Sequence, residues 1–249
     1  MIPKKILIVG GSSGLGKKLV ELYAARGDKV GVIARRENLL VKLQQQFPGI
    51  QICAADISDD SIDQKIIDVI NVIDGVDILI LTASIGEFNK NLEPVIELNT
   101  IDVNVKGYLR VLTTAYHYFL KKGKGQIAVA TSIAGARGNK VAPAYNASKA
   151  FQSNYLEGLR LNIKHQKADI AVTELMPGYI KTAMGKGDRM FWIASVDKAA
   201  RQCIGAIDRK RRRAFITRRW RLVYWLLKAL PSFIYDPLMN ASWKTRYKT

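Results

Sequence analysis

The chain has 249 residues, of which 48% are apolar, so it can bury a substantial core and is not generally disordered. Cys53 and Cys203 lie far apart with no His or Cys at ligand spacing, which predicts free thiols in a reducing compartment and no metal site. There is no signal-peptide pattern and no apolar run of the roughly 18 residues that a bilayer span needs. We therefore expect a soluble, cytoplasmic protein.

The formal net charge of +18 is distributed unevenly along the chain. From Ile207 to the end, twelve Lys and Arg residues stand against only Asp208 and Asp236. More than half of the net charge therefore lies in this final stretch, and the basicity is mainly a property of the C-terminal tail.

Seven short runs rich in Ile and Val have the length of strands. They are Ile6–Val9, Val30–Ala34, Ile50–Cys53, Ile78–Leu81, Gln126–Ala130, Ile170–Glu174 and Ala214–Thr217. Between them, segments with apolar residues every three to four positions predict helices. These segments are Leu15–Ala25, Leu39–Phe47, Ile62–Ile73, Val103–Leu120, Ala147–Ile163 and Val196–Ile207.

Strands that are apolar on both faces and alternate with helices are typical of a parallel sheet covered on both sides. We predict an α/β protein with one doubly wound Rossmann domain, in which a parallel seven-stranded sheet lies between helical layers. We assign residues 1–217 to this domain, with the cofactor and catalytic sites. Residues 218–249 are predicted to form a basic, Trp-rich helical extension that packs on the domain or projects from it.

A glycine-rich run, Val9-Gly-Gly-Ser-Ser-Gly-Leu-Gly16, lies between the first predicted strand and the first helix. Glycines there allow a sharp turn, and the N-terminus of the following helix favours a phosphate. Such a run alone is a weak signal, but in this place it predicts a dinucleotide site. The residues assigned to the site are Gly10, Ser12, Ser13, Gly14, Leu15 and Gly16.

The second predicted strand ends at Ala34 and is followed by Arg35 and Arg36. Proteins of this architecture that prefer NAD usually have an acidic residue here, which binds the ribose hydroxyls. Two arginines instead offer partners for a 2′-phosphate. The sequence therefore favours NADP(H) over NAD(H); the alternative is two solvated arginines at the start of a helix.

Ser132, Tyr145 and Lys149 form the most specific pattern in the chain. A Tyr and a Lys four residues apart lie on the same face of a helix. A protonated Lys stabilises a phenolate, so we expect Lys149 to lower the pKa of Tyr145 and make it a general acid or base. The alternative is that Ser132 caps a turn and Tyr145 packs at a helix start. Two other pairs share the spacing but have no serine at the same offset, Tyr118–Lys122 and Tyr224–Lys228.

The C-terminal segment from Arg218 to Pro231 has the pattern of a basic amphipathic helix with two tryptophans. Such a helix suits a membrane interface, a subunit contact or an arm around a substrate cleft. Nucleic acid is disfavoured, because the pattern buries apolar residues instead of offering aromatic rings to bases.

From Lys5 to Thr182 the motifs resemble, in order and spacing, those of the short-chain dehydrogenase/reductase family. Gly10, Gly14 and Gly16 fall on its TGxxxGxG turn. Ser132 matches its catalytic serine, and Tyr145 with Lys149 matches its YxxxK motif. Asn104 in Asp-Val-Asn-Val matches its catalytic asparagine, and the segment from Pro177 to Thr182 matches its PG loop.

The resemblance implies a mechanism in which Tyr145 donates a proton to a substrate carbonyl while NADPH delivers hydride to the carbon. Tyr145 acts as the base in the reverse reaction. Ser132 would orient the carbonyl, and Lys149 would lower the Tyr145 pKa and bind the nicotinamide ribose. Asn104 would hold a water that links Lys149 to solvent as a proton relay.

Further cofactor contacts are implied by the same resemblance. Asp56, followed by Ile57, would contact the adenine, and the small Ala83 would lie along the path of the cofactor. The PG loop would hold the nicotinamide carboxamide, with contacts from Pro177, Gly178, Ile180 and Thr182. Substrate specificity would lie beyond Gly178, where the apolar residues suit either a lid over a hydrophobic substrate or a packed helix: Met184, Met190, Phe191 and Trp192.

Two departures from the family pattern occur together. Val9 replaces the leading Thr of the glycine motif, and Leu81-Thr82-Ala83-Ser84 replaces the motif NNAG. In the family these positions are joined by polar contacts that brace the ends of the strands. Our hypothesis is that an apolar Val9–Leu81 contact replaces this brace.

We therefore predict an NADP(H)-dependent oxidoreductase that interconverts a carbonyl and an alcohol on a hydrophobic substrate. The alternative is a catalytically weak NADP(H)-binding homologue that acts through its tail as a membrane-associated or protein-binding module. Family resemblance implies a homodimer or homotetramer, formed through the helices beginning near Val103 and Ala147. Peripheral membrane contact through the tail is the alternative to a purely cytoplasmic location.

Overall fold

The structure, a computed structural model, describes residues 3–182 and 191–244. Its strands are β1 (Lys5–Val9), β2 (Lys29–Ala34), β3 (Gln51–Ala54), β4 (Ile78–Leu81), β5 (Lys124–Ala130), β6 (Asp169–Pro177) and β7 (Arg213–Ile216). Its helices are α1 (Gly14–Ala25), α2 (Glu37–Gln46), α3 (Ile62–Val72), α4 (Pro94–Ile101), α5 (Tyr108–Lys122), α6 (Pro143–His165), α7 (Val196–Asp208), α8 (Trp220–Ala229) and α9 (Ser232–Lys244). A π-helical stretch, Asp102–Gly107, joins α4 to α5, and a short 3-10 helix, Ile133–Ala136, follows β5.

The strands in the described ranges form one parallel seven-stranded sheet in the order β3-β2-β1-β4-β5-β6-β7. The Rossmann-type fold predicted from the sequence is therefore confirmed. Chain order reverses between β1 and β4, and such a switch point leaves a crevice at the carboxyl ends of the strands.

Both faces of the sheet are covered by helices, which explains the nearly continuous apolar runs in its strands. In β1, Leu7 and Val9 pack in a core with residues of α3, α5 and α6. Ile6 and Ile8 point to the opposite face and pack with residues of α1, α2 and α7. Adjacent residues of one strand thus contribute to two separate cores.

Three helical regions differ from their predictions. The helix predicted over Val103–Leu120 begins instead at Pro94 and contains the π-helical stretch. Helix α6 begins at Pro143, because proline is well tolerated in the first helical turn, and Tyr145 consequently lies in that turn. The C-terminal extension forms two helices, α8 and α9, instead of one. Among the described helices, none is both long enough and apolar enough to cross a bilayer.

Candidate active site

The glycine-rich turn between β1 and α1 packs against the end of β4. Gly10 has a φ of +100°, and a Cβ atom there would lie 2.3 Å from the amide nitrogen of Ala83. A Cβ atom on Gly16 would lie 2.2 Å from the carbonyl oxygen of Gly10. Only glycine is compatible with these approaches. The turn therefore brings the N-terminus of α1 to the crevice, an arrangement that favours a phosphate.

Two arginines lie at the rim of this crevice, beyond the end of β2. Arg36 donates hydrogen bonds to the hydroxyl oxygens of Ser13 (2.6 Å) and Ser12 (3.2 Å). Arg35 forms a 3.3 Å ion pair with Asp56. The rim thus offers one guanidinium group beside two hydroxyls and a second one paired with a carboxylate.

A cavity of about 730 Å³ runs along the carboxyl edge of the sheet. It is lined by every residue predicted to bind the cofactor: Gly10, Ser12, Ser13, Gly14, Leu15, Gly16, Arg35, Arg36, Asp56, Ile57, Ala83, Tyr145, Lys149, Pro177, Gly178, Ile180 and Thr182. Ser132 lines it as well, whereas Asn104 is fully buried and is not part of its wall. The fold therefore brings together residues from the ends of six strands, β1 to β6, and from α6.

Ser132 and Tyr145 approach each other between the 3-10 helix and the start of α6. The Ser132 Oγ accepts a hydrogen bond from the Ala134 amide at 3.0 Å, so Ser132 caps the 3-10 helix. Its own proton stays available for the hydrogen bond that it forms with Tyr145. On another side Tyr145 packs against Gly86, where a Cβ atom would lie 2.7 Å from the ring. Ser132 thus both caps a turn and contacts the candidate acid.

The pKa values of Tyr145 and Lys149 depart from their ordinary values in opposite directions. Burial raises the pKa of Tyr145, and the hydrogen bond with Ser132 opposes this only in part. Burial lowers the pKa of Lys149 to about 7. The prediction that Lys149 lowers the Tyr145 pKa is therefore wrong for this structure. The Lys149 Nζ lies 5.7 Å from the centroid of the Tyr145 ring, and its lowered pKa leaves it only partly charged at neutral pH.

Neutral acceptors hold the Lys149 amine. Its Nζ donates to the Gln152 Oε1 at 3.0 Å and to the Ala130 carbonyl oxygen at 3.4 Å. The other end of the Gln152 amide, Nε2, donates to the main-chain carbonyl oxygen of Asn104 at 2.9 Å. A side chain therefore makes the link between Lys149 and Asn104 for which the family resemblance implies a water. Gln152 was not among the predicted site residues, although it lies one turn after Lys149 on the same helix face.

The side-chain amide of Asn104 is fully engaged within the protein. Its Oδ1 accepts from the Ile85 amide (2.9 Å) and the Ser84 hydroxyl (3.0 Å). Its Nδ2 donates to the Ile85 carbonyl (2.7 Å) and the Ser148 hydroxyl (3.1 Å). These bonds use both hydrogens and both lone pairs of the amide. Asn104 thus connects the π-helical stretch to the segment after β4 and to α6.

The two departures from the family pattern lie side by side at the end of the sheet. Val9 and Leu81 are paired in register on β1 and β4, and both are buried in the same core. This is the placement that an apolar contact between them requires. A polar link is also present, because the Thr82 hydroxyl donates to the carbonyl oxygens of Val9 and Gly10 at 3.2 Å each. The sequence analysis missed this role of Thr82.

The other two Tyr–Lys pairs have structural partners away from the cavity. The Tyr118 hydroxyl accepts from the Val76 amide at 3.1 Å. Lys122 donates to the Val76 carbonyl at 2.6 Å and pairs with Asp77 at 2.9 Å. Tyr224 belongs to a small core beneath α8. Tyr118, Lys122 and Tyr224 thus make structural contacts, and none of them lines the cavity.

The part of the cavity away from the glycine-rich turn is apolar. Helices α8 and α9 form its wall through Trp220, Val223, Leu227, Tyr235, Leu238 and Met239. Phe191 also lines it, and its ring centroid lies 5.1 Å from that of Trp220. Trp192 packs edge-on against Trp220 at 5.8 Å. Of the apolar set predicted to cover a substrate, Met184 and Met190 lie outside the described residues.

Arg137 fastens the C-terminal helices to the rest of the chain. Its guanidinium group donates to the Leu230 carbonyl at 2.7 Å and to the Ser232 hydroxyl at 3.4 Å, and lies 4.4 Å from the Tyr235 ring centroid. Trp220 is 1% exposed and packs directly on Gly178. These contacts hold α8 and the start of α9 against the domain.

A buried carboxylate, Glu174, lies behind the site and was also missed. Its Oε1 accepts from the hydroxyls of Thr131 (3.1 Å) and Ser153 (2.6 Å), and its Oε2 accepts from Arg213 Nε at 2.7 Å. The side chain is fully buried. It therefore joins the end of β5, next to Ser132, to α6 and to β7.

Comparisons with known proteins identify the family of the chain. The sequence model of the family described as short chain dehydrogenase matches residues 4–190. The chain belongs to this family and is an NAD(P)-dependent oxidoreductase of the short-chain dehydrogenase/reductase type.

Individual relatives support the assignment. An uncharacterized oxidoreductase of Mycobacterium tuberculosis is 30% identical over 251 aligned positions, covering 96% of this chain and 93% of the relative. An 11-beta-hydroxysteroid dehydrogenase A of Sesamum indicum is 31% identical, covering 74% of this chain and 54% of the relative. A short chain dehydrogenase from Burkholderia cenocepacia, crystallised in complex with NADP, has the same fold with a TM-score of 0.80 at 21% identity, covering 95% of this chain and 97% of that one.

Proposed function

We propose that the protein is an NADP(H)-dependent oxidoreductase that interconverts a carbonyl and an alcohol on an apolar substrate, with Tyr145 as the general acid or base. The observation that carries the proposal is that Ser132, Tyr145 and Lys149 line the same cavity as the glycine-rich turn and the PG loop. A proton donor and a cofactor would therefore meet at one substrate.

The residues along the cavity fit a dinucleotide phosphate. Gly10 and Gly16 allow the turn to pack tightly against the end of β4, which leaves the N-terminus of α1 facing the cavity, where it would hold a pyrophosphate. Arg36, already in contact with two serine hydroxyls, would pair with a 2′-phosphate. Asp56 and Ile57 would flank the adenine, and the segment from Pro177 to Thr182 would hold the nicotinamide. Bound NADPH would supply a hydride, with its two electrons, to the carbonyl carbon.

The residues of this chain would supply the proton and the orientation. The raised pKa keeps Tyr145 a neutral phenol at physiological pH, so it is ready to donate its proton to the carbonyl oxygen during reduction. The Ser132 hydroxyl would hydrogen-bond the same oxygen and orient it. Lys149 would bind the ribose hydroxyls of the cofactor. In the oxidative direction Tyr145 would accept the proton of the alcohol.

Turnover with lipophilic ketones and aldehydes tests the catalytic assignment. We expect Tyr145→Phe to abolish NADPH oxidation while NADPH binding, followed by fluorescence, stays nearly intact, because only the proton donor is lost. Tyr118→Phe is the matched control, since its hydroxyl bonds only within the protein outside the cavity. Activity retained in Tyr145→Phe, or lost equally in Tyr118→Phe, would contradict the assignment.

The apolar end of the cavity supports a lipophilic substrate, and the outer face of α8 supports contact with a membrane surface. Leu222, Trp225 and Leu226 lie on that face and are 74%, 52% and 63% exposed. Arg221 and Lys228 are exposed beside them. A helix that combines an exposed apolar stripe with flanking cations fits an interface with anionic lipids. The inner face of the same helix lines the cavity, so an apolar substrate could pass from a bilayer into the site.

Charge argues against a second copy of the chain as the occupant of this face. Helix α8 contains no acidic residue, so a symmetric dimer through it would bring Arg221 and Lys228 against like charges. Self-association is better served by exposed apolar residues of α4 and α6, namely Val95, Leu98, Phe151 and Leu161. We propose a homodimer or homotetramer through those helices, with α8 left for an anionic bilayer.

Vesicle co-sedimentation tests the membrane contact. Leu222→Gln/Trp225→Gln/Leu226→Gln should abolish binding to vesicles that contain phosphatidylglycerol, while the wild type binds them and not pure phosphatidylcholine. Substitution is preferable to truncation after Thr217, because truncation would remove the buried Trp220. Val72→Gln, at an exposed apolar residue of α3 outside both proposed contact surfaces, is the control. Binding that persists in the triple variant, or is absent in the wild type, would refute the proposed contact.

A further inference from the structure

The Gln152 amide is the only link, among the described residues, that joins the Lys149 amine directly to the Asn104 main chain. Both side chains are buried, with Gln152 1% and Lys149 2% exposed. The carbonyl of Asn104 can only accept, so it requires the Nε2 end of the amide and leaves Oε1 to accept from the Lys149 Nζ. The amide orientation is therefore determined, with Nε2 toward Asn104 and Oε1 toward Lys149.

The backbone around Gln152 is fixed as well. The buried Tyr108 hydroxyl donates to the Gln152 main-chain carbonyl at 3.1 Å, which ties α6 to α5. The Tyr108 ring packs edge-on against Phe151 and Tyr155, on either side of this turn of the helix. The glutamine is thus held from both its main chain and its side chain, and has no freedom to turn away from Lys149.

We propose that Gln152 is a positioning residue that takes the place of a relay water in this enzyme, holding the Lys149 amine toward the cavity and closing the proton route toward Asn104. The proposal rests on the proposed function. A water can accept one proton and release another, so it can pass a proton along a chain. A carboxamide oxygen is a very weak base and its N–H a very weak acid, so the Gln152 amide holds the lysine without passing its proton on. Tyr145 would then be reprotonated from the cavity side.

The surroundings of Lys149 make its charge sensitive to the hydrogen-bond acceptor that Gln152 provides. Strand β5 contributes only the neutral carbonyl of Ala130, and the π-helical stretch contributes Asn104 through Gln152. On α6 itself, Tyr145 is the titratable group that faces the amine. Burial lowers the Lys149 pKa, and among the described residues no charged partner offsets this effect. Any change in the acceptor at position 152 should therefore appear in the titration of Lys149.

The Lys149 titration can be followed without substrate or cofactor, by NMR of protein labelled with ε-¹³C-lysine and assigned with Lys149→Met. We expect Gln152→Leu, which fills the space without an acceptor, to lower the Lys149 pKa by about one pH unit. We expect Gln152→Glu to raise it by about one to two pH units, because it adds a charged acceptor. Gln152→Ala opens space for a water, which would restore an acceptor and bring the pKa back toward that of the wild type.

The relative effects of Gln152→Leu and Gln152→Ala on the Lys149 pKa distinguish a positioning role from simple packing. If Gln152 only fills space, Gln152→Ala removes more atoms and should disturb Lys149 more than Gln152→Leu does. Our proposal requires the reverse order and a raised pKa in Gln152→Glu. Unchanged Lys149 titration in Leu and Glu variants that keep the wild-type circular dichroism would overturn it. The exposed Gln166→Leu serves as the control. Because the measurement needs no turnover, a missing carbonyl reductase activity would refute the proposed function without touching this result.

Discussion

Replacing Lys149 with methionine removes an amine that is buried without a carboxylate partner. The structure places Nζ against two neutral oxygens, and burial lowers the Lys149 pKa from 10.5 to about 7. The unfolded chain therefore holds this proton up to a higher pH than the folded chain does. In such a case the free energy of unfolding rises with pH between the two pKa values. The penalty is present in full below about pH 7 and disappears toward pH 10.5.

The size of this penalty follows from the pKa difference. At about 1.4 kcal/mol per pH unit, the burial of a protonated Lys149 costs about 5 kcal/mol at low pH. Methionine keeps most of the apolar volume of the lysine stem and carries no charge. We expect the free energy of unfolding of Lys149→Met to exceed that of the wild type by the largest margin at or below neutral pH. Its advantage should then shrink by about 1 kcal/mol for each pH unit above about pH 7.

Urea unfolding followed by circular dichroism at about pH 7, 8 and 9 would measure this slope. Lys149→Met also leaves the Gln152 oxygen without its donor. This effect does not depend on pH, so it does not change how the difference in free energy of unfolding varies with pH. Lys164→Met, exposed on the same helix, should run parallel to the wild type. If Lys149→Met also runs parallel to the wild type across this range, Lys149 is charged in the folded state and the burial argument is refuted.

Two further predictions concern the frame of the site. Glu174→Ala should destabilise the protein by about 3 kcal/mol or more in urea unfolding, because it removes the shared acceptor of two hydroxyls and leaves a half-buried guanidinium unpaired. The exposed Glu157→Ala should change little, and equal effects would contradict the role assigned to the buried carboxylate. Arg36→Ser should weaken NADP⁺ binding about tenfold or more while leaving NAD⁺ binding nearly unchanged, as measured by titration calorimetry. An equal loss for both cofactors would exclude a 2′-phosphate contact, and Arg211→Ser is the exposed control.

Local pattern in the sequence was sufficient for the order and type of the strands. All seven strands lie where the apolar runs predicted them, and their ends differ from the predictions by at most three residues. A strand buried on both faces needs an apolar residue at nearly every position, so the signal is strong. All of α4 and the first turn of α6 were missed; in α4 the apolar Val95 and Leu98 are exposed, so its apolar residues do not form one buried stripe.

The helices of the C-terminal extension were harder to predict, because they depend on tertiary contacts. Helix α9 has Pro237 in its interior, which disfavours a helix in any local reading. Its contacts involve distant parts of the chain, as in the hydrogen bond that the Tyr235 hydroxyl donates to the Gly138 carbonyl oxygen. Arg137, which holds this region in place, is a long way from it in sequence.

By itself, the sequence determined the fold class and pointed to the residues that we propose for the chemistry, because both depend on short-range spacing: apolar runs, a glycine turn, and a Tyr and Lys one helical turn apart. Only the tertiary structure decided the ionisation of those residues. Burial, which no local pattern specifies, raises the pKa of Tyr145 and lowers that of Lys149. Gln152 likewise became visible only when α6 packed against the π-helical stretch, because its second partner, Asn104, belongs to another part of the chain.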